Sequence, residues 1–480
     1  MRKSFVRAAV AASLTLCATA AFASPAAPGK DATLRPDQVA FRALYKELVE
    51  TNTTFSSGSC TLAADRMAAR LTDAGFAAAQ IARFAPEGRP REGGLVLTWP
   101  GSDAREPALL LLAHIDVVEA RREDWTRDPF TLVEEDGFFY ARGAADDKSQ
   151  AAIFTDSLIR LRRSGARPRR TLKLALTCGE EGAIGAINGV EWLAKHRPDL
   201  IAAGFALNEG GAGRSAPDGG PLQLGVQVGE KSPRSWTLET TNPGGHSSIP
   251  IRDNAIYQLA EALLKVRDHT FPVHMSDVTR AYFTRAGALV AGPLGKAMVA
   301  IAANPHDAAA EAIVLTDRTY NSMLRTTCVA TMAEAGHAIN ALPQRATATV
   351  NCRIFPGETE QQVAASLSQA IGDTGVRLIP IDDNVRPIPV APPLDPKVIG
   401  PMESLARRHF PGVPIIPTMS TGATDAAYLG VIGLPTYGVP GLWNGPNGGA
   451  HGLNERIPAQ AIWRGRDYIF DLVKLYAGIG

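Results

Sequence analysis

Residues 109–120 read Leu-Leu-Leu-Leu-Ala-His-Ile-Asp-Val-Val-Glu-Ala. The four leucines follow neither a period of two nor one of 3.6, the pattern of a strand buried on both faces. His114 and Asp116 close the run, two residues apart and so on one side of an extended chain. In open parallel sheets, chemistry collects beyond the carboxyl ends of the strands. An imidazole beside a carboxylate at such an end suits a metal. Taken alone, the same pair reads equally well as a strand capped by a hydrogen-bonded histidine.

Outward from this strand the pattern alternates. Helices are expected over 36–50 and 60–74, strands over 94–99, 108–113 and 138–140, and a helix through about 163. A strand over 171–177 runs into Gly179-Glu180-Glu181-Gly182, a helix follows over 185–196, and a strand over 204–207 ends in Asn208-Glu209-Gly210-Gly211. Strands alternating with helices predict an α/β domain with a mainly parallel sheet. Near Ser235 the order becomes strand 236–241, helix 254–266, strands 326–333 and 346–355, helix 358–371 and strand 376–381. That β-α-β-β-α-β order describes a small ferredoxin-like α+β domain inserted in the first. The expected division is a catalytic domain over 24–234 and 385–480, with a lid/dimerisation domain over 235–384. The lid carries an insertion over 267–324 with helical character around 294–303 and 307–313. The second catalytic part supplies a helix over 402–409, a strand over 435–439 and a glycine-rich loop into His451.

With 480 residues, 45% hydrophobic and 20% charged, the chain has material for two or more domains. A net charge of +1 and the lack of a polybasic run interleaved with aromatics argue against nucleic acid as a partner. Residues 1–23 read as a secretory signal: Arg2, Lys3 and Arg7, an apolar stretch, then Ala21-Phe22-Ala23 before the cut. The apolar stretch is too short to span a membrane. Cleavage would remove three positive charges and leave a chain near −2, exported to a bacterial periplasm. Cys60, Cys178, Cys328 and Cys352 remain, without the C-x-x-C spacing of a thiolate metal site. Cys328 and Cys352 fall on two successive expected strands with their midpoint in the connecting loop, which suits a disulfide between them, the alternative being two small buried thiols.

The strand ends thus deliver His114, Asp116, Asp146, Glu180, Glu181, Glu209 and His451. Each alone reads as a turn, a cap or a loop histidine; five separated segments each placing imidazole or carboxylate beyond a strand point to a shared site. A mixed imidazole and carboxylate set without thiolate suits zinc, with cobalt or manganese as substitutes. The ligands are too many for one catalytic zinc and suit two ions bridged by a carboxylate. One acid must stay off the ions to accept a proton from water.

At these residues the chain resembles the co-catalytic zinc amidohydrolases: aminoacylase, bacterial glutamate carboxypeptidase, carnosinase, carboxypeptidase S and succinyl-diaminopimelate desuccinylase. The matching stretches include His114-Ile115-Asp116, Gly143-Ala144-Ala145-Asp146-Asp147-Lys148, Glu180-Glu181, Asn208-Glu209-Gly210-Gly211, Gly244-Gly245-His246-Ser247, Asn340-Ala341-Leu342-Pro343, Arg353, Thr424-Asp425-Ala426 and His451-Gly452-Leu453-Asn454-Glu455. The Asn-Glu-Gly-Gly form and the long insertion look most like the carboxypeptidase S branch.

The resemblance implies that His114, Asp146 and Glu209 hold one zinc and that Asp146, Glu181 and His451 hold the other. It makes Asp116 the orienter of His114, Glu180 the general base, and His246 the stabiliser of the oxyanion. Arg353 and Asn340 become holders of the substrate carboxylate. It also implies a cis peptide after Asp146. Gly179 and Ser149 depart from the family pattern, which commonly has an acid and a glycine there. The expected activity is hydrolysis of an amide bond next to a free carboxylate, in a dipeptide or N-acyl amino acid. The alternatives are a deacylase or desuccinylase of one metabolite and a catalytically silent binding protein on the same scaffold. A homodimer through the lid is expected, unless the insertion takes the partner's place.

Overall fold

The computed structural model describes residues 34–182, 185–215, 221–381, 386–388, 390–443 and 448–479. The expected leader and the expected crossing at residue 385 lie outside them. In chain order, the larger body begins with helices α1 (Pro36–Val49) and α2 (Cys60–Asp73) and strands β1 (Ile81–Phe84), β2 (Gly94–Trp99) and β3 (Leu109–His114). Helix α3 (Lys148–Arg163), strand β4 (Leu172–Thr177), helix α4 (Gly189–His196) and strands β5 (Phe205–Asn208) and β6 (Pro221–Glu230) follow. The smaller body holds β7 (Ser232–Thr241), α5 (Ala255–Asp268), β8 (Thr327–Ala335), β9 (Arg345–Ile354), α10 (Glu360–Ile371) and β10 (Arg377–Pro380). Between α5 and β8 lie α6 (Asp277–Gly287), α7 (Gly292–Ala303), α8 (Ala308–Val314) and α9 (Arg318–Leu324). The chain ends with α11 (Pro396–His409), β11 (Ile415–Ser420), β12 (Thr436–Gly438) and α12 (Ala459–Tyr476). No described helix is long and apolar enough to cross a membrane.

The larger sheet runs β1-β2-β4-β3-β5-β12-β6-β11, with Gly213–Ser215 pairing onto β6. Its centre, β4-β3-β5-β12, is parallel, so the fold is α/β with a mainly parallel central sheet. All six residues of β3 are buried, and the leucines divide between two cores. Leu109 and Leu111 pack with α1, α2, α3 and α12 on one face. Leu110 and Leu112 pack with Val190, Leu193 and Tyr428 on the other. Each fully buried leucine contributes roughly 1.5–3 kcal/mol, and this double burial is why the run carries no alternation.

Helix α3 is buried along most of its length. Its hydroxyls are satisfied four residues back along the chain: Ser149, Thr155 and Ser157 donate to the carbonyls of Ala145, Ala151 and Ile153. Ser149 therefore fits a buried helix start where glycine is common. Helix α4 starts later than the expected 185, because Asn188 caps it by accepting from the Val190 and Glu191 amides.

The smaller sheet runs β8-β9-β7-β10, antiparallel throughout. Alternate residues of β9 from Ala346 to Ile354 face a separate core with Trp236, Leu259, Val363 and Leu367. Cys328 and Cys352 are register partners on β8 and β9 and form a disulfide, Cα–Cα 4.0 Å. A second disulfide, Cys60–Cys178, ties the start of α2 to the end of β4. The helices of the insertion bury Tyr282, Phe283, Met298, Ile301 and Leu324 in the core of the larger body. Arg285 on α6 reaches Glu403 on α11 and the Ile415 carbonyl.

Candidate functional site

Three neighbouring parallel strands, β4, β3 and β5, end side by side. His114 closes β3, Glu180 and Glu181 follow β4, and Glu209 follows β5. Asp146 comes from the turn that opens α3, and His451 from a loop in which it adopts φ +62°. The 146–147 peptide is cis.

These side chains converge around Asp146. Its Oδ1 lies 3.2 Å from His114 Nε2, and its Oδ2 lies 3.2 Å from His451 Nε2. Glu209 Oε1 is 3.8 Å from His114 Nε2, and Glu181 Oε2 is 2.8 Å from His451 Nε2. Two sets of contacts thus meet at one carboxylate: His114 with Asp146 and Glu209 on one side, His451 with Asp146 and Glu181 on the other. Ligand atoms of His114, Asp146 and Glu181 lie within 4.8 Å of one another, as do those of His114, Glu180 and Glu209.

Asp116 organises the cluster from behind. Its Oδ1 accepts from the Glu180 amide at 3.3 Å and its Oδ2 from the Glu181 amide at 3.0 Å. Oδ1 is also 3.6 Å from His114 Nδ1, which lies 3.2 Å from the Asp116 carbonyl. One carboxylate thus fixes a ring and the two glutamates. Gly179 adopts φ +86°, and a Cβ there would sit 2.3 Å from the Ile187 carbonyl oxygen. The acid common in the family has no room at this turn.

The electrostatics are those of crowded acid in a dry site. Burial pushes the Glu181 and Glu209 carboxyls up, most strongly at Glu209. Burial also pushes up Asp147, whose Oδ2 has no hydrogen-bond partner among the described residues. Asp146 resists burial and stays below the usual carboxylate range because both histidines bond to it. Hydrogen bonds that the His451 ring donates to Asp146 and Glu181 raise it to about 10. For His114, Glu209 and the Asp116 and Asp146 contacts outweigh burial and raise it too. Carboxylates gathered against two imidazoles in low dielectric fit divalent cations: oxygen and nitrogen donors, negative charge, and a bridging group.

Four residues outside the expected set complete the site. Glu455 accepts from Arg142 Nη1, the Gly143 amide, the Ala145 amide and the Asp146 amide at 2.7–3.1 Å. This shapes the turn carrying Asp146, where Gly143 adopts φ +79°. Asp425 accepts from Asn188 Nδ2 at 2.6 Å behind Glu180, and burial followed by the Glu180 charge raises it to about 7. Arg386 Nη1 donates to Glu180 Oε1 at 2.6 Å. The sequence signals were weak: Asp425 and Glu455 lay inside resembling stretches without an assigned role, and nothing marked Arg386 or Asn188.

The expected substrate residues lie on the smaller body. His246 pairs with Ala341 in a short ladder, and the Ser247 amide donates to the Asn340 carbonyl, so the two segments meet. Both side chains are exposed, and among the described residues neither bonds to the metal-site cluster. Arg353 is half-buried on β9, opposite Pro233 and Thr327.

The family model described as "Peptidase family M20/M25/M40" matches residues 110–475. The human N-fatty-acyl-amino acid synthase/hydrolase PM20D1 is 29% identical over 79% of this chain and 76% of its own. A probable carboxypeptidase S-like 2 of Dictyostelium discoideum is 27% identical over 79% and 74%. Mouse aminoacylase-1 is 27% identical over 80% and 83%. Among solved structures, the M20 family metallo-carboxypeptidase Sso-CP2 of Sulfolobus solfataricus superposes with TM-score 0.69 at 18% identity, covering 92% of this chain and 100% of its own. The Bacillus subtilis YXEP protein, a dinuclear metal-binding M20 peptidase, superposes with TM-score 0.58 at 13% identity, covering 92% and 98%. With the match spanning β3 to α12 and every element that carries the cluster, the chain belongs to peptidase family M20/M25/M40.

Proposed function

We propose that this enzyme is an exported di-zinc hydrolase that cleaves an amide bond next to a free carboxylate, in an N-acyl amino acid or a dipeptide. The observation that carries the reading is Asp146, one oxygen turned to His114 and the other to His451. In this reading His114, Asp146 and Glu209 hold one ion, and Asp146, Glu181 and His451 the other. When bound, the ions supply Lewis-acid polarisation of the scissile carbonyl and an acidified water.

The residues of the chain do the rest. Glu180, fixed through its amide by Asp116, accepts the proton of the attacking water on its carboxylate and passes it to the leaving nitrogen. His114 is held in one orientation by Asp116, so its Nε2 stays directed at Asp146. Arg353 and Asn340 hold the substrate carboxylate, and His246 donates to the oxyanion once the smaller body closes on the larger. An intact Glu180 beside a complete donor set argues against a silent binding protein, which has no use for a base. The acyl-amino acid relatives favour acyl substrates over one dedicated metabolite.

Two disulfides and the Arg2–Ala23 leader pattern support export to an oxidising compartment. The outer edge of the smaller sheet, β8, exposes Val329 and Met332, which supports pairing of two copies along that edge. The test is turnover of a panel of N-acyl amino acids and dipeptides by zinc-loaded protein, with and without chelator, cobalt and manganese being added back in parallel. Activity that survives complete metal removal would refute the reading.

A further inference from the structure

Arg386 lies where the chain returns from the smaller body to the larger, and its guanidinium meets Glu180 twice. Nη1 donates to Glu180 Oε1 at 2.6 Å, and Nη2 donates to the Glu180 carbonyl. Both side chains are largely buried, at 12% and 9% exposure. The arginine is itself anchored to the smaller body, since its carbonyl accepts from Arg234 Nη1 on β7. The base is thus bonded to a residue whose position follows the smaller body.

A second guanidinium stands nearby. The Arg353 side chain makes no hydrogen bond or ion pair with any described residue. Burial lowers its pKa, and the charge of Arg386 lowers it further. Arg386 faces the carboxylates of Glu180 and Asp425, whereas the half-buried Arg353 guanidinium feels the charge of Arg386 beside it and has no carboxylate of its own among the described residues. Buried charge persists where it is paired or meets a charged ligand. A guanidinium carries five N–H donors in a rigid fork, and Glu180 engages two of the five on Arg386. The rest can serve a second acceptor without releasing the first.

We propose that Arg386 is a specificity-determining residue: it holds Glu180 and, together with Arg353, seats the free carboxylate of the substrate. This rests on the hydrolase reading above and extends it. One rigid group touching both base and carboxylate fixes the spacing between the end of the substrate and the proton acceptor. The enzyme would then select a carboxylate at the α position over a carboxamide, or over a carboxylate one methylene further away. Arg353, bonded to the substrate alone, would contribute binding without placing the base.

The experiment compares an N-acyl-α-amino acid, its carboxamide and the matching N-acyl-β-amino acid on zinc-loaded wild type, R386K, R386Q and R353Q, with metal content measured for each. Wild type is expected to favour the α-acid by about 100-fold or more in kcat/KM, the loss of two charge-assisted hydrogen bonds. R386Q should lose kcat as well as raise KM, and its preference for acid over amide should shrink by about tenfold or more. R386K should regain part of the KM through its charge but not the kcat or the α-over-β preference, because an ammonium lacks the fork. R353Q should raise KM with kcat nearly kept. If R386Q loses acid and amide in equal proportion at full metal content, Arg386 only steadies the fold and the proposal is overturned. A wild type that cleaves amide as fast as acid overturns it without any variant. A metal-loaded wild type that cleaves no member of the set overturns the hydrolase reading, and this inference with it.

Discussion

Glu455→Gln is a demanding test of how the site is built, because it leaves every proposed ligand untouched. Glu455 and Arg142 form an ion pair at 2.7 Å with side chains 1% and 2% exposed. The two carboxylate oxygens together accept four hydrogen bonds: Oε2 from Arg142 Nη1 and the Gly143 amide, Oε1 from the Ala145 and Asp146 amides. A glutamine has the same shape but one acceptor oxygen. Whichever way its amide turns, two of the four donors face an NH₂ group. Arg142 keeps a bond to the Gly452 carbonyl but loses its counter-charge. Breaking a buried pair by neutralising one partner costs about 3–5 kcal/mol, a large share of the total stability of a domain. The damage falls on the turn presenting Asp146, so both ions should bind more weakly. Urea unfolding of the metal-free protein and a zinc titration read the two effects. A loss below about 1 kcal/mol with two ions still bound tightly would refute the reasoning.

Three further outcomes follow from the geometry. Glu180→Gln should keep both ions and lose roughly 10²–10⁴ in kcat, whereas Glu181→Gln should lose metal from the His451 side; metal analysis showing the reverse would exchange the two roles. Replacing Cys60 and Cys178 by serine opens a link across 118 residues, with a chain-entropy ceiling of about 5 kcal/mol, against about 3.5 for the 24 residues between Cys328 and Cys352. Only the first replacement should also weaken metal retention, since Cys178 precedes the Glu180-Glu181 turn; equal metal loss in both would sink that claim. Lys231 is buried with its ammonium on the carbonyls of Ser322 and Arg325 and the hydroxyls of Ser322 and Thr327. Burial, then the Arg353 charge, brings it down to about 7 from 10.5. Between those pH values the unfolded chain binds a proton that the folded chain does not, so stability rises with pH across the window, by up to about 1.4 kcal/mol per unit. Lys231→Met should remove that rise, and parallel urea-stability profiles for wild type and variant from pH 7 to 9 would contradict it.

The central strand was legible because its leucines have nowhere to go but two cores, and a period cannot survive burial on both faces. The α/β class and the inserted β-α-β-β-α-β unit followed from patterns that depend on near neighbours in the chain. Strands β6 and β11 were missed for different reasons. Leu222-Gln223-Leu224-Gly225-Val226-Gln227-Val228 alternates as a strand does, but its glutamines are buried, so the polar positions give no sign of the interior they occupy. In β11, Pro417 argues against a strand; the sheet accepts it because β11 is the last strand of the order. Cys178 offered no clue to Cys60, since their approach depends on how α2 packs on the sheet. Arg142–Glu455 and Arg386–Glu180 span 313 and 206 residues; no local pattern encodes such a pair. Family resemblance marked the residues at the strand ends, and the geometry shows which groups hold them there.

The insertion changes how the smaller body can move. A domain inserted into a sheet is ordinarily joined to it by two passages of chain, here after Glu230 and before α11. In this chain α5 also leads out to α6, and α9 leads back into β8, while the four intervening helices bury their apolar residues in the core of the larger body. The smaller sheet is therefore held at four points. Lys231 adds a lock among them, bonding one of the two direct passages to α9 and the start of β8. His246 and Asn340 sit at the far end of that sheet, across a short ladder and exposed. A body anchored at its base and free at its tip can bend its tip loops toward the metal-site cluster more cheaply than it can rotate as a whole. Arg386, at the anchored end, already touches Glu180, while His246, at the free end, is exposed and bonds to none of the described residues of the cluster. Under the proposed mechanism, substrate closure would thus bring in His246 without displacing the arginine that bonds Glu180.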